Sequence, residues 1–252
     1  MKLQYASDLH LEFPENMEFL KRDPLQPGGD VLLLAGDIVP FVVIDKHTDF
    51  FDYISDTFET TYWIPGNHEY YYYDIAEKCG TLNEKIRSNV FLVNNTSAIL
   101  DHVKIVFSTL WSEIGKLNQG IIQQRISDFH VIKFKNKRFL PDHFNELHSE
   151  SLEFLKSEID TTFPGKIVVV THHVPVLLNY PKQYKSDILN EAFVVDLYDL
   201  IDKNKIDYWI YGHHHVNVEE FSIGETKMLT NQLGYLRCDE NKNFDNNKII
   251  AF

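Results

Sequence analysis

Cysteine is scarce in this chain: Cys79 and Cys238 are the only two in 252 residues. They lie too far apart for thiolate-metal spacing and provide no disulfide framework. Long apolar runs are absent as well. None approaches the roughly eighteen residues of a membrane-spanning helix, so a membrane is not an expected partner. Basic charge is in deficit, with 24 lysines and arginines against 37 aspartates and glutamates and a formal charge of −13. Such an exterior repels a long polyanion, which argues against nucleic acid as a partner. A signal peptide is not apparent either, because Met1-Lys2 leads directly into an apolar strand. The expected location is cytoplasmic, where both cysteines stay reduced. No internal repeat, linker or low-complexity tract interrupts the 252 residues, and 44% of them are apolar. Residues 1–252 are therefore expected to form a single domain with a sizeable core.

The first half alternates strands and helices, the pattern of stacked αβ units. Strands are expected at residues 2–7, 31–35, 62–65, 91–94, 98–100 and 104–110, with a hairpin at Asp101-His102. Residues 41–58 read as partly helical and 72–87 as a helix. The stretch 111–138 lacks clear periodicity; a short helix and a loop near the site opening are expected there. Apolar residues at helical spacing mark 142–159, and Pro164-Gly165 ends that segment before a strand at 166–171. A helix at 191–203 and a strand at 206–211 follow. Residues 216–223 and 226–230, joined by Gly224-Glu225, read as a hairpin, and 239–248 as a polar turn.

Seven of the twelve histidines fall inside five short motifs. These are Asp8-Leu9-His10, Gly36-Asp37, Gly66-Asn67-His68-Glu69, Thr171-His172-His173 and Gly212-His213-His214-His215. Each follows a short apolar run, so metal-ligating side chains gather at the ends of several strands, where an open α/β sheet places its site. Asp8 and His10 are two apart and can point to the same side of an extended chain, as can His213 and His215. Asn67 offers a neutral amide oxygen, and His172 directly follows its strand, although His173 is an alternative. Asp37, after a flexible glycine, is the best candidate to share its oxygens between two ions. Separately the motifs are weak: Gly-Asp and Gly-Asn are also turn chemistry. Together, and in order, they suggest a two-metal phosphoesterase. If Asp8 and Asp37 are the only anionic ligands, two divalent cations leave the site at about +2, able to attract a phosphate despite the acidic exterior.

The series resembles the calcineurin-like metallophosphoesterase superfamily, with its D-x-H, G-D, G-N-H-D/E, H and G-H-x-H pattern, from Asp8 to His215. More locally the chain is similar to a bacterial subgroup of uncharacterised phosphoesterases, through Thr109-Leu110-Trp111, Ser127-Asp128-Phe129, Asn190-Glu191-Ala192-Phe193 and Gly234-Tyr235. The resemblance implies an α/β fold, a four-layer αββα sandwich of mixed sheets. It implies that Asp8, His10, Asp37 and His215 hold one metal and Asp37, Asn67, His172 and His213 the other, with Mn, Fe and Zn all used in the superfamily. Two positions depart from the pattern. His214 stands where a small hydroxyl residue is frequent, and the tandem His172-His173 leaves the ligand open, with His172 preferred for its place after the strand.

The expected reaction is hydrolysis of a small phosphomonoester or phosphodiester. Two cations lower the pKa of a bridging water, and the resulting hydroxide attacks phosphorus. His68, next to Asn67, is placed to protonate the leaving group, with Glu69 or another carboxylate orienting it. The catalytic residues are thus expected to be His68 and Asp37. The alternatives are a catalytically silent scaffold, against which the complete ligand set argues, and a metal-dependent nuclease, against which the charge argues. Tyr70-Tyr71-Tyr72-Tyr73 is read as packing, with a stacking platform for a substrate ring as the sharper alternative. Asp128 and Arg125 are expected within reach of the opening, Arg125 either gripping a phosphate or forming a surface ion pair. His130, His143 and His148 are taken as surface histidines, not ligands.

Overall fold

A computed structural model describes residues 1–159 and 162–252. Among the described residues two six-stranded sheets pack face to face. In the first, β1 (Lys2–Ala6), β2 (Val31–Ala35), β3 (Thr60–Ile64) and β5 (Val90–Asn94) run parallel. Antiparallel β14 (Ile249–Ala251) edges it beside β1, and β4 (Leu82–Arg87) beside β5. The second repeats the plan. Parallel β7 (Val103–Ser108), β10 (Lys166–Thr171), β11 (Tyr208–Ile210) and β13 (Thr226–Leu229) are edged by antiparallel β6 (Thr96–Leu100) and β12 (Phe221–Ile223).

Alternation along each strand assigns the layers. Leu3, Tyr5, Leu33 and Ala35 meet Ile105, Phe107, Val168 and Ile210 between the sheets. Leu32, Leu34 and Trp63 face outward onto Phe51 and Ile54 of α2 (Thr48–Thr57). On the far side Val169 and Trp209 pack against Leu155 and Ile159 of α5 (Pro141–Ile159). Strands covered on both faces need continuous apolar sequence, which is why residues 31–35 are uniformly apolar and fully buried. The result is the expected αββα sandwich. Leu33, completely buried between the sheets, has no room to collapse if truncated. Leu33→Ala is expected to cost about 2–5 kcal/mol of unfolding free energy, read as a lower urea midpoint with an unchanged m-value.

Two helix expectations are overturned. After a 3-10 turn at His68–Tyr70, in place of a helix over 72–87 the chain makes one further 3-10 turn at Ile75–Glu77 and then the edge strand β4. The Asp74 carboxylate accepts hydrogen bonds from the backbone N–H groups of Ala76, Lys135 and Asn136. It thereby holds the chain in a turn, and pairing with β5 supplies the rest; local propensity yields to both. The segment 191–203 likewise splits. A 3-10 turn, Ile188–Ala192, runs into an extended stretch in which Val195 N–H donates to Val174. Only then does α6 (Tyr198–Lys203) begin, the Tyr198 N–H donating to the Asp196 carboxylate. The hairpins at Asp101 and Gly224 form as expected. The irregular middle resolves into α3 (Gln119–Arg125), α4 (Asp128–Val131) and a small β8 (Lys133–Phe134)–β9 (Lys137–Arg138) hairpin. Neither α1 (Pro14–Arg22) nor β14 was foreseen. Among the described residues no helix is long and apolar enough to cross a membrane.

Candidate metal centre

Every motif leaves the carboxyl end of a parallel strand: β1 leads to Asp8, β2 to Asp37, β3 to Asn67, β10 to His172 and β11 to His213. The strands are parallel, so all five ends lie on one rim and the seven candidate ligands converge there. Asp8, His10, Asp37 and His215 form one group and Asp37, His172 and His213 a second. Asn67 adjoins the second, its Oδ1 3.2 Å from His172 Nε2. Asp37 belongs to both. Its Oδ2 lies 3.8 Å from His10 Nε2 and its Oδ1 3.4 Å from His172 Nε2. His215 Nε2 is 3.4 Å from Asp8 Oδ1 and 3.0 Å from His10 Nε2, and His172 Nε2 is 3.1 Å from His213 Nδ1.

The backbone is strained to achieve this. Asp8, His10, Asp37, His213 and His215 all have φ between +48° and +80°, a region costing a non-glycine residue on the order of 1 kcal/mol or more. Gly66 and Gly212 are required for a different reason. A Cβ on Gly66 would lie 2.2 Å from Asp37 Oδ1, and one on Gly212 would lie 2.5 Å from Asp8 Oδ2.

Each imidazole is turned by a bond to its outer nitrogen. His172 Nδ1–H donates to the Ala35 carbonyl at 3.0 Å, His10 Nδ1–H to Glu12 at 3.1 Å and His215 Nδ1–H to Glu240 at 2.7 Å. The outer nitrogen of His213 faces Ala192 O at 3.5 Å. These bonds aim the inward nitrogens at the cluster, the arrangement of metal-ligating histidine once a cation takes the place of the inner proton. Asn67 is fixed similarly: its amide donates to Asp128 at 2.9 Å, so the oxygen points inward. Nitrogen and oxygen ligands about 2.1 Å from one ion stand about 3.0–3.4 Å apart, the range of every ligand-to-ligand distance given above except the 3.8 Å between Asp37 and His10. Charge agrees. Among the described residues, the ion-pair partners of Asp8 and Asp37 are imidazoles alone. Burial opposes the charge on His172, yet Asp37 and Asp8 push it up to about 9; burial likewise opposes His215, which Asp8 and Glu240 push up to about 10. Asp37 is held well below the usual carboxylate range by His172, His68 and His10, against its burial. His10 and His213 move the other way, lowered by burial and by neighbouring imidazoles, so the carboxylates draw positive charge to His172 and His215 in particular.

His173 lies outside both groups, its ring packed between Trp111 and Phe144. His214 is turned away, stacked on Tyr180 and receiving a hydrogen bond from Gln232. His148, read as a surface residue, is buried instead, its Nδ1 2.6 Å from Trp111 O. The tyrosine run is chiefly packing. Tyr70 and Tyr73 lie against Phe41, Tyr72 is exposed, and Tyr71 stacks on His68 with ring centroids 4.0 Å apart.

Glu69 does not orient His68. It lies beneath the site, accepting from the N–H groups of Asp37, Ile38 and Gly66 and from Trp63, so it ties the Gly-Asp and Gly-Asn-His-Glu loops together. The carboxylate beside His68 is Glu12, whose Oε1 is 3.0 Å from His68 Nδ1 and 3.1 Å from His10 Nδ1. Although burial opposes its ionisation, these two imidazoles pull Glu12 down to about 2. Burial also opposes the charge on His68, but Asp37 and Glu12 outweigh it and raise the imidazole above its ordinary value. Tyr235 Oη lies 3.2 Å from His68 Nε2. Glu12 was legible as the next alternate position after Asp8 and His10. Glu240 stands in a polar turn with no such signal.

Fold and site together define the class, an αββα sandwich carrying a buried carboxylate–imidazole centre at its strand ends. The chain belongs to the calcineurin-like phosphoesterase family, which it matches over residues 1–217. That family implies a dimetal centre, and the chain holds candidate ligands for one. An uncharacterised protein of Acanthamoeba polyphaga mimivirus is 32% identical over 274 residues, covering 96% of this chain and 94% of its own length. The phosphopantetheinyl hydrolase of Mycobacterium tuberculosis superposes with a TM-score of 0.71 at 15% identity, covering 96% of this chain and 92% of that one, a likeness of fold. A dimetal phosphatase of Danio rerio aligns with a TM-score of 0.43 at 11% identity, over 92% and 87% of the two chains.

Proposed function

We propose that this protein hydrolyses a small phosphomonoester or phosphodiester with two metal ions, Mn, Fe or Zn. Asp8, His10, Asp37 and His215 hold one ion, and Asp37, Asn67, His172 and His213 the other. The observation that carries this reading is the set of imidazoles anchored through their outer nitrogens, with their inner ones gathered around one shared carboxylate. Bound there, a cation pair supplies Lewis acidity and lowers the pKa of water. The chain's own part falls to His68. Against its burial, Asp37 and Glu12 favour its protonated form, Glu12 fixes the ring through Nδ1 and Nε2 faces Tyr235. His68 can therefore protonate the departing oxygen. Asp128 holds Asn67, and Glu69 holds the loop of Asp37. We read residues 1–252 as one domain, since β14 completes the sheet that β1 begins.

The test is to strip the protein with a chelator, restore Mn, Fe or Zn separately, and follow p-nitrophenyl phosphate and bis(p-nitrophenyl) phosphate. Release should vanish on stripping and return with metal. No release from either ester with any of the three metals rejects the reading. Glu12→Gln keeps the size of the side chain but removes the charge that serves two imidazoles. Turnover should fall about 10–100-fold with metal content retained; native turnover would show that His68 needs no such anchor.

A further inference from the structure

Above the cluster opens a cavity of about 380 Å³ whose lining includes Asp37, Asn67 and His213 at its buried floor. Its rim is different. Arg125 and Ser127 are exposed on one side, with Tyr184, itself 48% exposed, and Asn190 also in the lining. Arg125 is the one Lys or Arg among the described lining residues, and its side chain has no hydrogen bond, ion pair or ring contact among the described residues. The carboxylates sharing that lining are engaged elsewhere. Asp128 accepts from Asn67 and Tyr71, Asp187 from the backbone of Leu189, and Glu240 from His215 and Tyr235 N–H. A guanidinium left free in a lining whose four acidic side chains include three bonded elsewhere is therefore available to an anion that enters from solvent.

Its mounting is rigid. Ile122, one turn earlier, is fully buried and accepts the Ile126 N–H, and Asp128, three residues later, is locked to Asn67. The start of the same segment is tied to Glu191, the neighbour of Asn190: Gly115 N–H and Asn118 Nδ2 both donate to its carboxylate. Ile126 and Leu189 add apolar wall to the lining.

On the phosphoesterase reading of the floor, we propose that Arg125 forms a rim subsite for a second anionic group, so that the substrate is a small phosphoester whose leaving portion carries a phosphate or carboxylate. The scissile phosphate belongs at the buried floor beside Asp37 and Asn67, whereas Arg125 is exposed at the mouth. The anion it meets is thus a different one, separated by a short spacer against Ile126, Tyr184 and Leu189. A volume of this size holds a nucleotide-sized ligand.

Calorimetry with Mn-loaded protein and three non-hydrolysable probes tests this directly: benzylphosphonate, 4-carboxybenzylphosphonate and p-xylylenediphosphonate. The second anionic group should tighten binding about tenfold, the scale of one charge-assisted contact at a partly exposed site. Comparing the two charged probes identifies which anion is preferred. In Arg125→Gln the advantage should collapse towards one, and in Arg125→Lys it should survive in part, with melting temperatures unchanged because the side chain is exposed. Equal affinity of all three probes for the native protein, an advantage that persists in Arg125→Gln, equal weakening of all three by that substitution, or no binding of any probe overturns the subsite. Hydrolysis of phenyl phosphate against 4-carboxyphenyl phosphate gives the same ratio under turnover. Failure of the phosphoesterase reading looks different, as no hydrolysis of either ester while the calorimetric ratios remain measurable.

Discussion

Asp37→Asn is expected to leave a folded protein that retains well under one equivalent of metal after dialysis, where the native chain retains roughly two. The reason is geometric. Asp37 presents Oδ2 towards His10 and Oδ1 towards His172, so one substitution removes the anion common to both groups. Asparagine keeps the shape and one acceptor oxygen, but its amide N–H would point at an imidazole lone pair or at a cation. Turnover should fall by ~10³-fold or more, since the cations are asked for several kcal/mol of transition-state stabilisation. Elemental analysis beside kcat/KM separates the two effects. Two full equivalents in the variant would end the bridging role of Asp37.

His68→Asn should behave in the opposite manner, with both metals retained and turnover lowered by about 10²–10⁴-fold. The His68 ring is not a member of either group that shares Asp37; it stacks on Tyr71 and contacts Glu12 and Tyr235. The deficit should be larger for glycerol phosphate than for p-nitrophenyl phosphate, because an alkoxide needs its proton more than a phenolate does. A uniform deficit across leaving groups would make His68 an electrostatic stabiliser instead of an acid. Native turnover in a metal-replete variant would remove it from the reaction.

The central strands were legible because strands buried on both faces must be apolar throughout, and residues 31–35 and 167–170 say so without any partner in view; the sandwich itself was what the family resemblance implies. The centre was legible because histidines at fixed offsets after such runs have few other uses. The 72–87 segment misled for a specific reason. Its apolar residues fit a helix locally, and what decided otherwise was Asp74 gripping Lys135 and Asn136, 61 and 62 residues away. The break at Val194 has the same origin, a pairing with Val174 that no local pattern encodes.

The linear order of residues determined the central strands, their ends and the candidate ligands gathered there, with His172 or His173 left open, because each of these depends on periodicity or on near neighbours in the chain; the layers followed only from the resemblance to the family. Tertiary structure alone decided which carboxylate serves which imidazole: Glu12 and not Glu69 for His68, Glu240 for His215, Asp128 for Asn67. It also left Arg125 free at the rim. Hydrogen-bond partners are selected by position in space, and residues separated by 25 to 61 positions meet only once the sheets have stacked.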